Sequence, residues 1–190
     1  MTSAEPRLYF SIDLDPQSKL AILQLQSDLK ARIDGRWVEA NQLHITVIHF
    51  GILSEVYNQI KALNSALTTT VFERAVQDFK QSCSKLLLQN ISLQSNGYAS
   101  FGPHSNILVL KLKPNQMLIN AHSAGLGHLM TFFTNCDVRT PLEFMQDNYN
   151  LKFAATFNPH ISLARGIRRL PDDLPQPPPE LVFMPASFLN

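Results

Sequence analysis

The runs "QLHITVIHFG", residues 42 to 51, and "NPHISLAR", residues 158 to 165, each set a histidine two residues ahead of a hydroxyl inside a segment of strand-like composition. Side chains alternate between the faces of an extended strand, so residues i and i+2 share a face, about 7 Å apart at a rise of ~3.3 Å per residue. His44 therefore falls beside Thr46, and His160 beside Ser162. Strict alternation carries the first face on through Ile48 and Phe50 and puts Ile45, Val47 and His49 on the other side.

The rest of the chain reads as strands and helices around these two runs. "RLYFSIDL", residues 7 to 14, is a first strand that stops at Asp15-Pro16, where the fixed φ of proline suits a helix start. From Gln17 to Ile33 apolar residues recur at helical spacing, and Gly35 follows as a stop. Ser54 to about Phe79 reads as one or two helices, and "LLLQNISLQ" and "NILVLKLK" as two strands separated by the turn signals Asn96-Gly97 and Gly102-Pro103. Pro114 and Asn115 open a helix to about Asn135, against which Gly125 and Gly127 argue. A polar loop, Gln146 to Asn150, precedes "FAATFNPHISLARG", a strand interrupted by Pro159. Residues 171 to 179 form a stiff proline-rich connector, and "LVFMPASFL" a last edge strand. Strand and helix elements that recur in both halves predict an α+β protein of two similar lobes, forming one domain over residues 1 to 190.

Composition narrows the function more by exclusion. With 45% hydrophobic and 16% charged residues the chain can bury a core, and a net charge of +1 argues against coating nucleic acid by bulk electrostatics. Cys83 and Cys136 are too few for a disulfide framework or a zinc-ligand pattern, which fits a reducing, cytoplasmic setting. No apolar run reaches the length of a membrane span, so no membrane partner is expected.

Imidazole titrates near neutrality, so two histidines can hold opposite protonation states, one accepting a proton while the other gives one. Neighbouring hydroxyls donate hydrogen bonds to an oxyanion without adding charge. Those are the parts for phosphodiester chemistry without a metal.

"HITV" and "HISL", with the flanks "RLYFSIDL", "RWVEANQLHITVIHFG" and "FNPHISLAR", resemble in order the paired motifs of the 2H phosphoesterase superfamily, in particular the RNA 2′,3′-cyclic phosphodiesterases also called 2′-5′ RNA ligases. The resemblance spans residues 7 to 165 and implies a bilobal fold with two β-sheets facing across a cleft, helices outside and one motif on each side. It also implies hydrolysis of a 2′,3′-cyclic phosphate on RNA termini or nucleotides to a 2′-phosphomonoester, with reversible ligation as a companion activity. His160 is assigned as proton acceptor and His44 as proton donor, with Thr46 and Ser162 on the phosphate oxygens and no metal or cofactor. Alternatives are a phosphodiesterase for 2′-5′ linked oligonucleotides or small cyclic nucleotides, and a catalytically idle RNA-end-binding module. The protein is expected as a monomer. Two positions depart from the pattern: Ser162 stands where threonine is usual, and His49 where the motif is commonly apolar.

The remaining polar candidates carry less. Alternation turns His49 away from His44 and argues against a joint metal site, while His104, His122 and His128 lack ligand spacing. Arg165 suits a phosphate, yet it lies an odd number of residues from His160, so only a bulge or the strand end would bring it round. Phe10 and Phe50 read as core rather than as nucleobase platforms.

Overall fold

The computed structural model describes residues 7–148, 151 and 154–189. The extreme amino terminus, the end of the predicted 146–150 loop and the start of "FAATFN" lie outside them. The first strand, β1 (Arg7–Asp13), alternates as its composition requires: Leu8, Phe10 and Ile12 are fully buried, whereas Tyr9 and Asp13 are half-buried. Helix α1 (Pro16–Lys30) follows at once, with proline in its first turn and the Asp15 carboxylate accepting the Ser18 amide at 2.7 Å. Such a cap contributes about 1 kcal/mol.

Next come β2 (Arg36–Trp37), a short helical turn, β3 (His44–Ile52), α2 (Leu53–Leu63) and α3 (Thr69–Cys83). Strands β4 (Ile91–Phe101) and β5 (Ile107–Lys113) form a hairpin, and α4 (Gln116–Asn135) and α5 (Pro141–Asp147) precede β6 (His160–Arg165), β7 (Glu180–Phe183) and β8 (Ser187–Leu189). The strands make two antiparallel sheets, one ordered β3-β1-β8 and the other β2-β6-β5-β4-β7. The chain crosses between them repeatedly, and residues around Leu14 and Phe183 tie them through a bridge and paired backbone hydrogen bonds.

Helices α2 and α4 back the three-stranded sheet, with α3 and α5 packed on α4. There Phe50, Phe72 and Phe79 each meet Phe132 edge to face. Helix α1 backs the five-stranded sheet, where the buried Gln26 amide donates to the carbonyls of Val38 and Leu163 at 3.0 and 2.9 Å. The α+β, two-lobed architecture matches the expectation.

Four local readings need correction. Asn96-Gly97 does not separate two strands but lies inside β4, where the ladder with β5 shifts register. "LVFMPASFL" is two strands, because Pro185 breaks the ladder and lets β7 and β8 join different sheets. Pro141 starts a short helix, α5, where no element was expected. The strand around Pro159 begins only at His160. Glycine at 125 does not end α4; it lets the helix settle on β3, since a Cβ there would lie 2.7 Å from Ile48 Cγ1.

Candidate active site

Strand β3 is not regular, and the irregularity decides which side chains share a face. Its register with β1 runs Asp13↔His44, Ile12↔Ile45 and Ser11↔Thr46, then shifts so that Phe10 faces Ile48 and Tyr9 faces His49. The β-bulge at Val47 reverses the alternation beyond it. Val47, Ile48 and Phe50 therefore bury into the helix-backed core, while His49 turns to the side of His44 and Thr46. Tyr9 marks that side: its ring centroid lies 6.0 Å from His44 and 5.0 Å from His49. The regular alternation expected for this strand assigned His49, Ile48 and Phe50 to the wrong faces for this reason.

Strand β6 repeats the device. Lys111↔His160, Leu110↔Ile161 and Val109↔Ser162 are followed by Leu108↔Ala164 and Ile107↔Arg165, leaving Leu163 as the extra residue. Leu163 and Ala164 are both buried, and Arg165 emerges on the face of His160 and Ser162. The Leu163 carbonyl is held by the Val38 amide at 3.0 Å and by Gln26, so the bulge is pinned from behind. Each motif thus presents a histidine, a hydroxyl two residues on, and a third polar group five residues on: His44, Thr46 and His49 on one strand, His160, Ser162 and Arg165 on the other.

The two strands belong to different sheets and approach each other. His160 and Arg165 are near enough for their positive charge to act on His44. Burial is the largest influence and holds the His44 imidazole below its ordinary value; the Asp13 carboxylate and the Gln42 carbonyl oppose it, and His160 and Arg165 reinforce it. His44 Nδ1 is buried and unpartnered among the described residues. Burial also lowers His160, against the hydrogen bond that its Nδ1 makes with the Asn158 carbonyl at 2.7 Å. A carbonyl can only accept, so Nδ1–H donates and Nε2 is the basic nitrogen of the neutral ring.

Phe101 meets the His160 ring edge-on at 4.8 Å. Composition gave no reason to single out Tyr9, Ser11 or Asp13, yet all three line the face of β1 that pairs with His49, Thr46 and His44. Their spacing at i, i+2 and i+4 between Phe10 and Ile12 is the signal that marks that face. Ser11 Oγ is buried and unpartnered among the described residues, directly across from Thr46. His122 is structural: it stacks on Phe157 at 4.3 Å and its Nε2–H donates to the Ala154 carbonyl at 2.8 Å, steadying the approach to β6. Burial pushes the Cys83 thiol up to about 12, and burial with the Asp137 charge pushes Cys136 up to about 11, so neither is poised as a thiolate. Among the described residues no group of three or more His, Cys, Asp or Glu side chains is placed to hold a metal ion. No helix among them is long and apolar enough to cross a membrane.

A surface groove of about 1020 Å3, lined in part by Gln59, Leu63, Arg139, Glu143 and Asn148, lies between α2 and α5. It holds none of the histidines. The motif histidines and their hydroxyls stand instead on β3 and β6, the strands of the two sheets that contact each other.

The fold and the cleft define a two-sheet α+β architecture with one histidine–hydroxyl pair on each histidine-bearing strand. That fold is shared with E. coli LigT complexed with phosphate (17% identity, TM-score 0.57) and with 3′-AMP (15% identity, TM-score 0.56), each alignment covering 98% of this chain and 87% of the other. It is shared as well with Thermus thermophilus TT0787, at 16% identity and a TM-score of 0.51, over 96% of this chain and 84% of the other. No protein-family model and no curated protein sequence matches the chain.

Proposed function

We propose that the chain is a 2H-type phosphodiesterase that opens 2′,3′-cyclic phosphates on RNA termini or nucleotides, leaving a 2′-phosphomonoester. The observation that carries this reading is the placement of His44 and His160 on strands of different sheets, within electrostatic reach of each other and each beside a hydroxyl. The motif resemblance and the fold shared with a protein that binds phosphate and 3′-AMP support the same substrate class.

In this mechanism neutral His160 accepts a proton from the attacking water through Nε2. The hydroxide equivalent adds to phosphorus, the P–O3′ bond breaks, and His44, protonated, gives its proton to the departing 3′ oxygen. Thr46 and Ser162 donate hydrogen bonds to the nonbridging oxygens as charge gathers there, and Arg165 adds a positive charge on the same wall. Burial lowers both imidazoles in the free protein, whereas a bound phosphate anion raises them, so substrate itself supplies the field that keeps His44 protonated. Run backwards, the same groups join a 2′-phosphate to a hydroxyl.

The test is incubation with a 2′,3′-cyclic nucleotide and with a cyclic-ended oligoribonucleotide, with the phosphate position in the product read by phosphorus NMR. A 2′-phosphate is expected. A 3′-phosphate, or cleavage of 2′-5′ linked oligonucleotides with cyclic substrates untouched, would overturn the substrate assignment. Tight binding without turnover would indicate an idle RNA-end-binding module.

A further inference from the structure

We propose that His49 binds a second anionic group of the substrate, so that the cleft prefers nucleotides carrying a phosphate besides the one that reacts. This rests on the proposed phosphodiesterase reading. His49 stands on β3 where Arg165 stands on β6, five residues beyond the motif histidine and on its face only because each strand bulges in between. Two imidazoles, two hydroxyls and the Arg165 guanidinium already suffice for one phosphodiester, which bears a single negative charge. His49 adds a further group able to carry positive charge, and Asp13 is the carboxylate facing this wall from β1.

The register separates the duties of the two histidines on β3. His44 pairs with Asp13 and His49 with Tyr9, whose ring centroid is 6.0 Å from His44 and 5.0 Å from His49, so His49 is displaced along the strand from the motif histidine. A half-buried imidazole at that point reaches an anion beside the scissile phosphate, and it adds a hydrogen bond of the charge-assisted kind. His49 is therefore a specificity contact, outside the proton transfers of His44 and His160.

The test compares adenosine 2′,3′-cyclic phosphate with the same compound bearing a 5′-phosphate. The parent protein should favour the doubly phosphorylated substrate in kcat/KM, chiefly through KM. His49→Phe keeps a ring against Tyr9 but has no nitrogen, and should lose that preference by about tenfold, as expected for one hydrogen bond to a charged group. Its effect on the singly phosphorylated substrate should be clearly smaller. His49→Arg should restore the preference. Equal loss on both substrates in a folded His49→Phe protein, or an undiminished preference, would overturn the proposal; a preference that survives in His49→Phe would indicate that the ring serves a nucleobase. Calorimetry with adenosine 2′-phosphate and adenosine 2′,5′-bisphosphate reads the same contact without turnover. If the parent cleaves neither cyclic substrate, the phosphodiesterase reading fails, yet tighter bisphosphate binding that His49→Phe abolishes still upholds the contact; equal binding of the two by the parent sinks it.

Discussion

At His44 two opposed charges meet: the Asp13 carboxylate across the strand pair raises its affinity for a proton, and Arg165 lowers it. Asp13→Asn should therefore lower the His44 pKa and Arg165→Met should raise it, both read by NMR titration of the ring protons. Shifts of the same sign in the two variants would contradict the placement of Arg165 in the cleft. Replacing His44 or His160 by alanine should each cost about 10² to 10⁴ in kcat/KM, and the double variant should lose less than the product of the two, because acid and base act in one transition state. The four expected site residues were readable as spaced pairs. His49 and Arg165 were not placed correctly by alternation alone, since an extra residue in a strand inverts every side chain beyond it and leaves no mark in the hydrophobic pattern. Arg165 can join that face only through a bulge or at the strand's end, and β6 contains a bulge.

Helix α4 tests how elements seat the site. Gly125 faces Ile48 beside the β3 bulge with no room for a Cβ, while Gly127 has open space around it. Alanine favours helix by about 1 kcal/mol over glycine, so Gly127→Ala should stabilise by up to that amount. At Gly125 the same gain is outweighed by overpacking that costs about 1 to 3 kcal/mol, and Gly125→Ala should be net destabilising. Thermal melts should show Tm moving in opposite directions, by about 2 to 4 °C per kcal/mol; a rise in both would refute the close packing of α4 on β3. Gln26→Ala should destabilise by about 1 to 3 kcal/mol, since it strips a buried donor from the Val38 and Leu163 carbonyls. Most elements were legible because capping and periodicity are local signals, as at Asp15 and Asn115. The two-residue β2 and the division of the last strand were not. A segment as short as Arg36–Trp37 becomes a strand only when β6 offers it an edge, and β7 and β8 are told apart only by which sheet each completes.

Across the whole molecule the proposed site depends on the approach of β3 and β6 from separate sheets, which the chain assembles by crossing between lobes. Periodicity can say that His44 and His160 each sit on a polar strand face; it cannot say that the faces meet, because the partners are joined by tertiary packing alone. The resemblance to a bilobal family supplied that geometry. Two lowered imidazoles predict a bell-shaped pH profile for kcat/KM, with both limbs displaced to the acid side of the ordinary histidine value of about 6.5 and belonging to the coupled pair. For kcat, measured with the anion bound, the limbs should move back to higher pH. The most direct measurement is kcat/KM on a 2′,3′-cyclic nucleotide in strong chelator, from about pH 4 to 9 around the unperturbed value, for the parent and for His44→Ala and His160→Ala. Two-histidine catalysis predicts a bell in the parent, the loss of one limb in each variant that retains measurable turnover, and a 2′-phosphate product. A parent profile that rises to a plateau with no descending limb, or turnover that vanishes until a divalent metal is restored, would contradict it.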